Sequence, residues 1–198
     1  MVVIYVEGGG ETNYLKTMAR RAFHDFLGQL SLRNQPGIRA SGSRKDAYVD
    51  FCQAVEERTP ALLLVDSEGP IPPGSNPWAH LKQRDGWKKP RGADKEDCHL
   101  MVQCMESWFL ADRALLSRFF GQGFSDRSLP ANPKIEEVPK GAVQRGMENA
   151  SRRSKKGKYA HGRISYEILA CMDPHLIRQR SPWADRLFSD LETRSGRT

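Results

Sequence analysis

The sequence has no paired cysteines and no long apolar run. Its four cysteines are scattered and none belongs to a Cys-x-x-Cys pair, which argues against a zinc knuckle or a redox motif. We therefore expect ordinary buried thiols in a reducing compartment. No apolar stretch approaches the roughly 18 residues of a membrane-spanning helix, and no basic leader precedes the first apolar run. These absences predict a cytoplasmic protein without a membrane segment.

The glycine run Gly8–Gly10 also lacks two signatures of phosphate binding. It is not followed by the Lys-Ser/Thr pair of a P-loop, and its spacing differs from the dinucleotide fingerprint, so we expect no nucleotide cofactor. What the chain does have is charge, since 28% of its residues are charged and its net charge is +7. This balance is compatible with DNA, RNA or an acidic protein surface as a partner.

Apolar runs alternate with amphipathic segments through the first half of the chain. The predicted strands are residues 2–6, 38–41, 62–65 and 99–103, and the predicted helices between them are residues 11–30 and 43–55. A strand–helix–strand–helix–strand order favours an α/β fold, with a parallel sheet of about four strands and right-handed crossovers. With 198 residues and 38% hydrophobic content, the chain fits one compact domain with a small helical appendage.

Proline content and helical periodicity guide the prediction for the rest of the chain. Five prolines between residues 69 and 95 predict a long loop without regular structure. Its aromatic and basic residues suit contact with nucleic acid, or its tryptophans pin the loop to the body of the protein. Residues 106–120, 166–172 and 183–191 are predicted to be helical. The expected organisation is a core at 1–125, a basic loop with C-terminal helices packed on the core at 126–192, and a flexible tail at 193–198.

Carboxylates follow two of the predicted strands directly. Glu7 follows the first strand, and Asp66 and Glu68 follow the third. The carboxyl ends of parallel strands meet at one edge of the sheet, and side chains two residues apart on a strand share a face. Acidic groups gathered there need a compensating cation, and carboxylate oxygens are typical ligands of Mg²⁺ or Mn²⁺. Glu11 either binds a second ion or favours the positive end of the helix that it precedes.

These acidic residues resemble a known motif. Glu-Gly after the first strand and Asp-x-Glu after a later one resemble the Toprim (topoisomerase–primase) domain, in which a first-strand glutamate and an Asp-x-Asp pair bind Mg²⁺. The resemblance implies this role for Glu7, Asp66 and Glu68, and Glu68 departs from the motif. Glu7 with Glu11 is similar to the Glu-x-x-x-Asp/Glu element of the two-metal Toprim nucleases named for overcoming lysogenization defect.

Most of the chain is similar to a small stand-alone Toprim-like family that is filed as a domain of unknown function. The similar stretches are residues 5–12, 63–68, 99–112 and 156–183. Such proteins are often encoded beside an ATPase of the ABC/SMC type in bacterial defence loci. The resemblance implies a Toprim-like Rossmannoid sheet, an ATPase partner and an antiviral role, and a homo-oligomer is compatible with it.

The segment from residue 140 to residue 163 is strongly basic, with Glu148 as its one acidic residue. The glycines and serines of residues 151–163 predict a mobile loop whose tyrosine stacks on a base. The predicted nucleic-acid contacts are Arg152, Arg153, Lys155, Lys156, Lys158, Tyr159 and Arg163. The Toprim resemblance further implies a basic residue near the metal, for which Lys140, Lys155 and Lys156 are candidates; we favour Lys140 and Lys156 as catalytic. A solvated charge run or a docking surface for an acidic partner is the alternative.

Two more residues have two interpretations each. Glu106 either stabilises a helix N-terminus, which we favour, or belongs to the acidic group. His161 is either polar surface or an acid–base group.

The leading hypothesis is a metal-dependent nuclease that acts on DNA or RNA as the effector of an ATPase-containing defence complex. One alternative is a nucleic-acid-binding or regulatory subunit with a degenerate Toprim site. Another is a scaffold whose basic segment docks on an acidic face of its partner.

Overall fold

The protein is an α/β fold built on one four-stranded sheet. The computed structural model describes residues 1–196. The strands are β1 (Val3–Gly9), β2 (Gly37–Gly42), β3 (Ala61–Asp66) and β4 (Cys98–Met101). All neighbouring strands are parallel, and their order in the sheet is β2-β1-β3-β4. The α/β class and the four-stranded parallel sheet predicted from the sequence are therefore confirmed.

Helices cover both faces of the sheet. They are α1 (Asn13–Gly28), α2 (Arg44–Glu56), α3 (Pro77–Asp85), α4 (Arg113–Phe120), α5 (Lys140–Ser151), α6 (Arg163–Leu169), α7 (Pro174–Arg178) and α8 (Pro182–Ser195). Short polar side chains cap the two crossover helices at their first turns. Thr12 accepts a hydrogen bond from the Leu15 N–H, and Ser43 forms a reciprocal capping box with Asp46. These caps fix where the chain turns from strand to helix on either side of the sheet.

The core forms two apolar clusters, one on each face of the sheet. Strand β3 is buried along its whole length, and its side chains point alternately into the two clusters. Leu62 and Leu64 belong to one cluster, and Leu63 and Val65 belong to the other. The larger cluster extends from β1 to α8 and therefore joins the predicted core to the predicted C-terminal appendage. Trp108 lies fully buried in this cluster, with its ring centroid 5.6 Å from that of Phe26.

The segment after β3 is more regular than its prolines indicate. Helix α3 forms inside the predicted loop, so that prediction is wrong for residues 77–85. Pro77 occupies the first turn, where its missing N–H costs nothing, and Asn76 caps the helix by accepting from the Ala79 N–H at 3.0 Å. Trp78 is buried, and Trp87 stacks on Tyr48 at 4.6 Å, which supports the pinning interpretation.

Three other boundaries differ from the prediction. The helix predicted at 106–120 is divided into a 3₁₀ segment, Met105–Ala111, and α4, because Asp112 caps a new helix start. The first part of the basic segment, for which no element was predicted, forms α5, which ends at Ser151, the first residue of the predicted mobile loop. Helix α8 continues to Ser195, past the predicted start of the tail at residue 193, whereas residues 197–198 lie outside the described residues.

No helix in the described part of the chain is long and apolar enough to cross a membrane.

Candidate metal centre

Three carboxylates meet where β1 and β3 end. These strands are neighbours with Val6 opposite Leu64, so Glu7 and Asp66 leave the sheet side by side. Glu7, Asp66 and Glu68 each offer an oxygen, and these oxygens all lie within 4.8 Å of one another. The structure therefore brings together the three acidic residues that the sequence places at the strand ends.

Burial makes this group of acids electrostatically costly. Burial raises the pKa of Glu7 to about 7, against hydrogen bonding by the Asp66 N–H and the positive charge of Arg44, which lower it. Burial also raises the pKa of Asp66 well above its usual range, and the charge of Glu7 adds to that rise. Such shifts mean that negative charge at this place is only partly compensated by the protein itself.

Arg44, at the start of α2, supplies one counter-charge. Its Nε lies 3.4 Å from Oε2 of Glu7 and donates to the backbone carbonyl of Asp66 at 3.1 Å. Asp85 on α3 holds the guanidinium through two hydrogen bonds of 2.7 and 3.2 Å. The guanidinium also lies over the ring of Trp87, 4.9 Å from its centroid. Helix α3, which the sequence did not predict, thus fixes a basic residue against the acidic group.

Lys140, the first residue of α5, supplies another counter-charge. Its Nζ lies 2.6 Å from Oε1 of Glu68 and 3.2 Å from Oδ2 of Asp66. Burial alone would lower the pKa of Lys140, but the two carboxylates raise it overall, so the ammonium is charged at neutral pH. Its backbone N–H donates to Oε1 of Gln103, which fixes the start of α5 beside β4. Of the predicted basic catalytic candidates, Lys140 lies at the carboxylates.

The donor set fits a hard divalent cation. All three groups are carboxylates, the ligand type that Mg²⁺ and Mn²⁺ prefer. Oxygens on opposite sides of Mg²⁺ lie about 4.2 Å apart, so three oxygens within 4.8 Å of one another need only a small approach to bind it. The raised pKa values of Glu7 and Asp66 are the second sign of fit, because a bound cation removes the repulsion that contributes to them. Lys140 would turn aside to make room.

Comparison with protein families shows that one family model covers most of the chain. The model of a domain of unknown function, DUF4276, matches residues 6–192. The chain belongs to this family. The match includes the three carboxylates, Lys140 and all helices up to most of α8. No curated protein matches the chain, and no solved structure matches it either.

Glu11 does not join the acidic group of this DUF4276 domain. It is exposed in the turn before α1, and the cluster of potential metal ligands in the described residues consists of Glu7, Asp66 and Glu68 without it. The structure therefore does not bring Glu11 to the site of the first ion.

A second buried carboxylate borders the same cleft. Glu106 and His161 line it together with Glu7 and Asp66, and the cleft has a volume of about 160 Å³. Nδ1 of His161 lies 2.6 Å from Oε1 of Glu106. The sequence interpretation of His161 as polar surface missed this pair. A usable signal was present, because Glu106 comes soon after the predicted strand at 99–103, as Glu7 comes after the predicted strand at 2–6.

The basic segment divides into paired, buried and unpaired residues. Tyr159 is 3% exposed and donates to Glu106, so the prediction that it stacks on a base is wrong. Three of the predicted nucleic-acid-binding residues are paired with acids: Lys156 and Arg163 with Glu167, and Lys158 with Glu148. Lys156 also lies over the ring of Phe119, and it does not touch the three carboxylates. Among the described residues, the exposed side chains of Arg152, Arg153 and Lys155 have no acidic partner.

Proposed function

We propose that this DUF4276 protein is a Mg²⁺- or Mn²⁺-dependent nuclease that hydrolyses phosphodiester bonds of DNA or RNA. The observation that carries the proposal is the meeting of Glu7, Asp66 and Glu68 within 4.8 Å, with Lys140 beside them. The resemblance of the same three residues to the Toprim metal ligands supports it independently of the geometry.

Each residue has a role that follows from its position. Glu7, Asp66 and Glu68 hold the cation, which when bound supplies Lewis-acid stabilisation of the phosphate and lowers the pKa of a bound water. Lys140, displaced from Asp66 and Glu68, remains within reach of the phosphate, where its ammonium stabilises the charge of the transition state. Arg44 favours the ionised form of Glu7 and orients the end of β3 through the Asp66 carbonyl.

The exposed cations hold the substrate. Arg152, Arg153 and Lys155 lie between α5 and α6, and their free charges suit the phosphates of a nucleic-acid backbone. This arrangement gives binding without sequence specificity, which suits a nuclease directed at foreign nucleic acid.

The biological setting that we propose rests on the family resemblance. Toprim-like proteins of this kind are often encoded beside an ABC/SMC-type ATPase in bacterial defence loci. We therefore propose that the protein is the effector subunit of an antiviral complex in the cytoplasm, and that the ATPase controls when it cuts.

The decisive experiment is metal-dependent cleavage of plasmid DNA and of RNA by wild type and by Asp66→Ala, each with and without the neighbouring ATPase. We expect cleavage that requires Mg²⁺ or Mn²⁺ and that is lost in Asp66→Ala. Glu96→Gln is the matched control, since Glu96 is a surface carboxylate paired with Lys95. Equal cleavage by wild type and Asp66→Ala would exclude this site.

One observation favours a second candidate function. Lys140 already bridges Asp66 and Glu68, and Glu68 stands where the Toprim motif has an aspartate. A lysine that replaces the cation would leave a catalytically degenerate subunit that binds nucleic acid or regulates the complex. Titration calorimetry with Mn²⁺ separates the two functions, since the degenerate subunit binds nucleic acid but no metal.

A further inference from the structure

Glu106 is held in the fold as an ionised hydrogen-bond acceptor. It is 1% exposed and follows Met105, whose N–H donates to Oδ1 of Asp66 at 2.9 Å. Its Oε1 accepts from the Tyr159 hydroxyl at 3.0 Å and lies 2.6 Å from Nδ1 of His161. Burial alone would raise the pKa of Glu106, but the bond from His161 and the other donors lower it to about 2. A charge this deeply buried needs a lasting partner.

His161 is the exposed member of this pair. Its ring lines the cleft that contains Glu7 and Asp66, and it comes from the glycine-flanked end of the loop before α6. A carboxylate on Nδ1 keeps a proton on that atom and leaves Nε2 as the atom that exchanges protons. In the part of the chain that the structure describes, Nε2 forms no hydrogen bond with any residue. The ring is therefore oriented from behind and has one nitrogen available to a ligand.

We propose that His161 is the general acid of the phosphodiester cleavage and that Glu106 is its positioning residue. Nε2 donates its proton to the oxygen that leaves phosphorus. This inference deepens the nuclease function proposed above and depends on it.

The proton balance of the step is simple. Water attacks phosphorus and a new P–O bond forms, while the bond from phosphorus to the leaving oxygen breaks. That oxygen takes the bonding electron pair and the Nε2 proton and departs as an alcohol. The attacking water gives up a proton to solvent, and solvent returns a proton to Nε2. A sugar alkoxide is a poor leaving group, so protonation contributes typically 10²–10⁴-fold to the rate.

The charges around His161 favour the acid form. The hydrogen bond to Glu106 raises the pKa of His161, burial of the ring opposes this, and the charge of Glu106 raises it further. Across the cleft, Asp66 raises and Lys140 lowers the pKa by weaker effects. The imidazolium therefore persists to higher pH than in a free histidine, as suits a general acid.

The test exploits the leaving group. In bis-p-nitrophenyl phosphate the leaving phenolate needs no proton, whereas in an oligonucleotide the leaving sugar oxygen does. His161→Asn is the informative variant, because its amide can still donate to Glu106 from near the Nδ1 position but has nothing in place of Nε2. We expect kcat on the oligonucleotide to fall about 100-fold or more, and kcat on the nitrophenyl ester to change less than about threefold.

Glu106→Gln is the companion variant. The glutamine oxygen can still accept from Nδ1 but lacks the negative charge that favours the protonated ring, so kcat on the oligonucleotide falls while the nitrophenyl ester is again cleaved almost normally. The decline of kcat at alkaline pH should also move to lower pH in Glu106→Gln. If Glu106→Gln does not fold because Glu106 is buried, His161→Asn still tests the proposal, because His161 is on the surface.

Three results would overturn the proposal. In the first, His161→Asn cleaves both substrates as wild type does; in the second, it loses activity on both substrates equally. If Asp66→Ala is inactive in either case, the protein is a nuclease but His161 is not its general acid. In the third, metal-loaded wild type cleaves neither substrate, and the proposed function fails together with this inference. A substrate-selective loss supports it, since a merely structural role of His161 would affect both substrates alike.

Discussion

The backbone N–H of Asp66 donates a hydrogen bond to Oε2 of Glu7 over 3.1 Å. This single bond joins the ends of two neighbouring parallel strands and holds two acidic residues together although their charges repel. The repulsion persists because the sheet fixes both backbones. The site is thus assembled before any ligand arrives, and its cost appears as raised pKa values of both side chains.

The first prediction concerns stability and pH. The pKa of Glu7 is about 7 in the folded protein, above its ordinary value of 4.5, so the folded state binds more protons than the unfolded state between these values. Without metal, the free energy of unfolding should therefore fall as pH rises through this window, by on the order of 2 kcal/mol. Glu7→Gln should show a smaller slope, since the raised pKa of Asp66 remains, and should be more stable than wild type at pH 8. Urea unfolding across the pH range measures the free energy of unfolding. A slope in Glu7→Gln equal to that of wild type would contradict the prediction.

The second prediction concerns metal and stability. Mn²⁺ at about 100 times its Kd should stabilise the wild-type protein by about 2.7 kcal/mol at pH 8, because it binds the folded state. Asp66→Asn should show little of this rise in Tm, and Glu96→Gln should show all of it. A Tm that rises equally in Asp66→Asn would place the ion elsewhere. Differential scanning fluorimetry, with EDTA to reverse the effect, is sufficient.

The third prediction concerns Lys140, whose ammonium competes with a cation for Asp66 and Glu68. Lys140→Met should bind Mn²⁺ more tightly, by about tenfold or more, because removing a nearby positive charge favours a cation. Its kcat should nevertheless fall about 100-fold, because charge stabilisation in the transition state is lost. Lys156→Met is the matched control, and it should change neither quantity. Weaker metal binding in Lys140→Met would contradict the competition.

The fourth prediction concerns the unpaired cations. Replacing Arg152, Arg153 and Lys155 together by alanine should weaken nucleic-acid binding. The slope of log affinity against log salt should become shallower by about 0.7–0.9 for each phosphate that the variant no longer neutralises. Lys95→Ala is the control, since Lys95 is an exposed lysine that is paired with Glu96. An unchanged salt slope in the triple variant would mean that another surface carries the substrate.

The fifth prediction concerns the core. Trp108 is fully buried between Phe26 and Phe188, so Trp108→Ala should reduce the free energy of unfolding by about 3–5 kcal/mol. Tyr14→Ala removes a comparable ring from an exposed position and should stay within about 0.5 kcal/mol of wild type. Chemical denaturation compares the two, and equal losses of stability would contradict the packing.

Local sequence was sufficient for the sheet. The apolar runs before Glu7 and Asp66 are long enough for buried strands, and Ser43 marks a helix start by a rule that acts over three residues. The wrong predictions arose where one residue type favours two different local structures. Prolines between residues 69 and 95 suggested a loop, but one of them stands in the first turn of α3, where proline is favourable.

The sequence by itself determined which acids stand at the ends of β1 and β3, because strand pattern and residue position are properties of short segments. Only the tertiary structure decided which basic groups face them. Arg44, Lys140 and His161 are separated from Glu7 by tens of residues or more along the chain, and they reach the site because α2, α5 and the loop before α6 pack at one edge of the sheet. That packing follows from burial of the common core, which no pattern of neighbouring residues specifies.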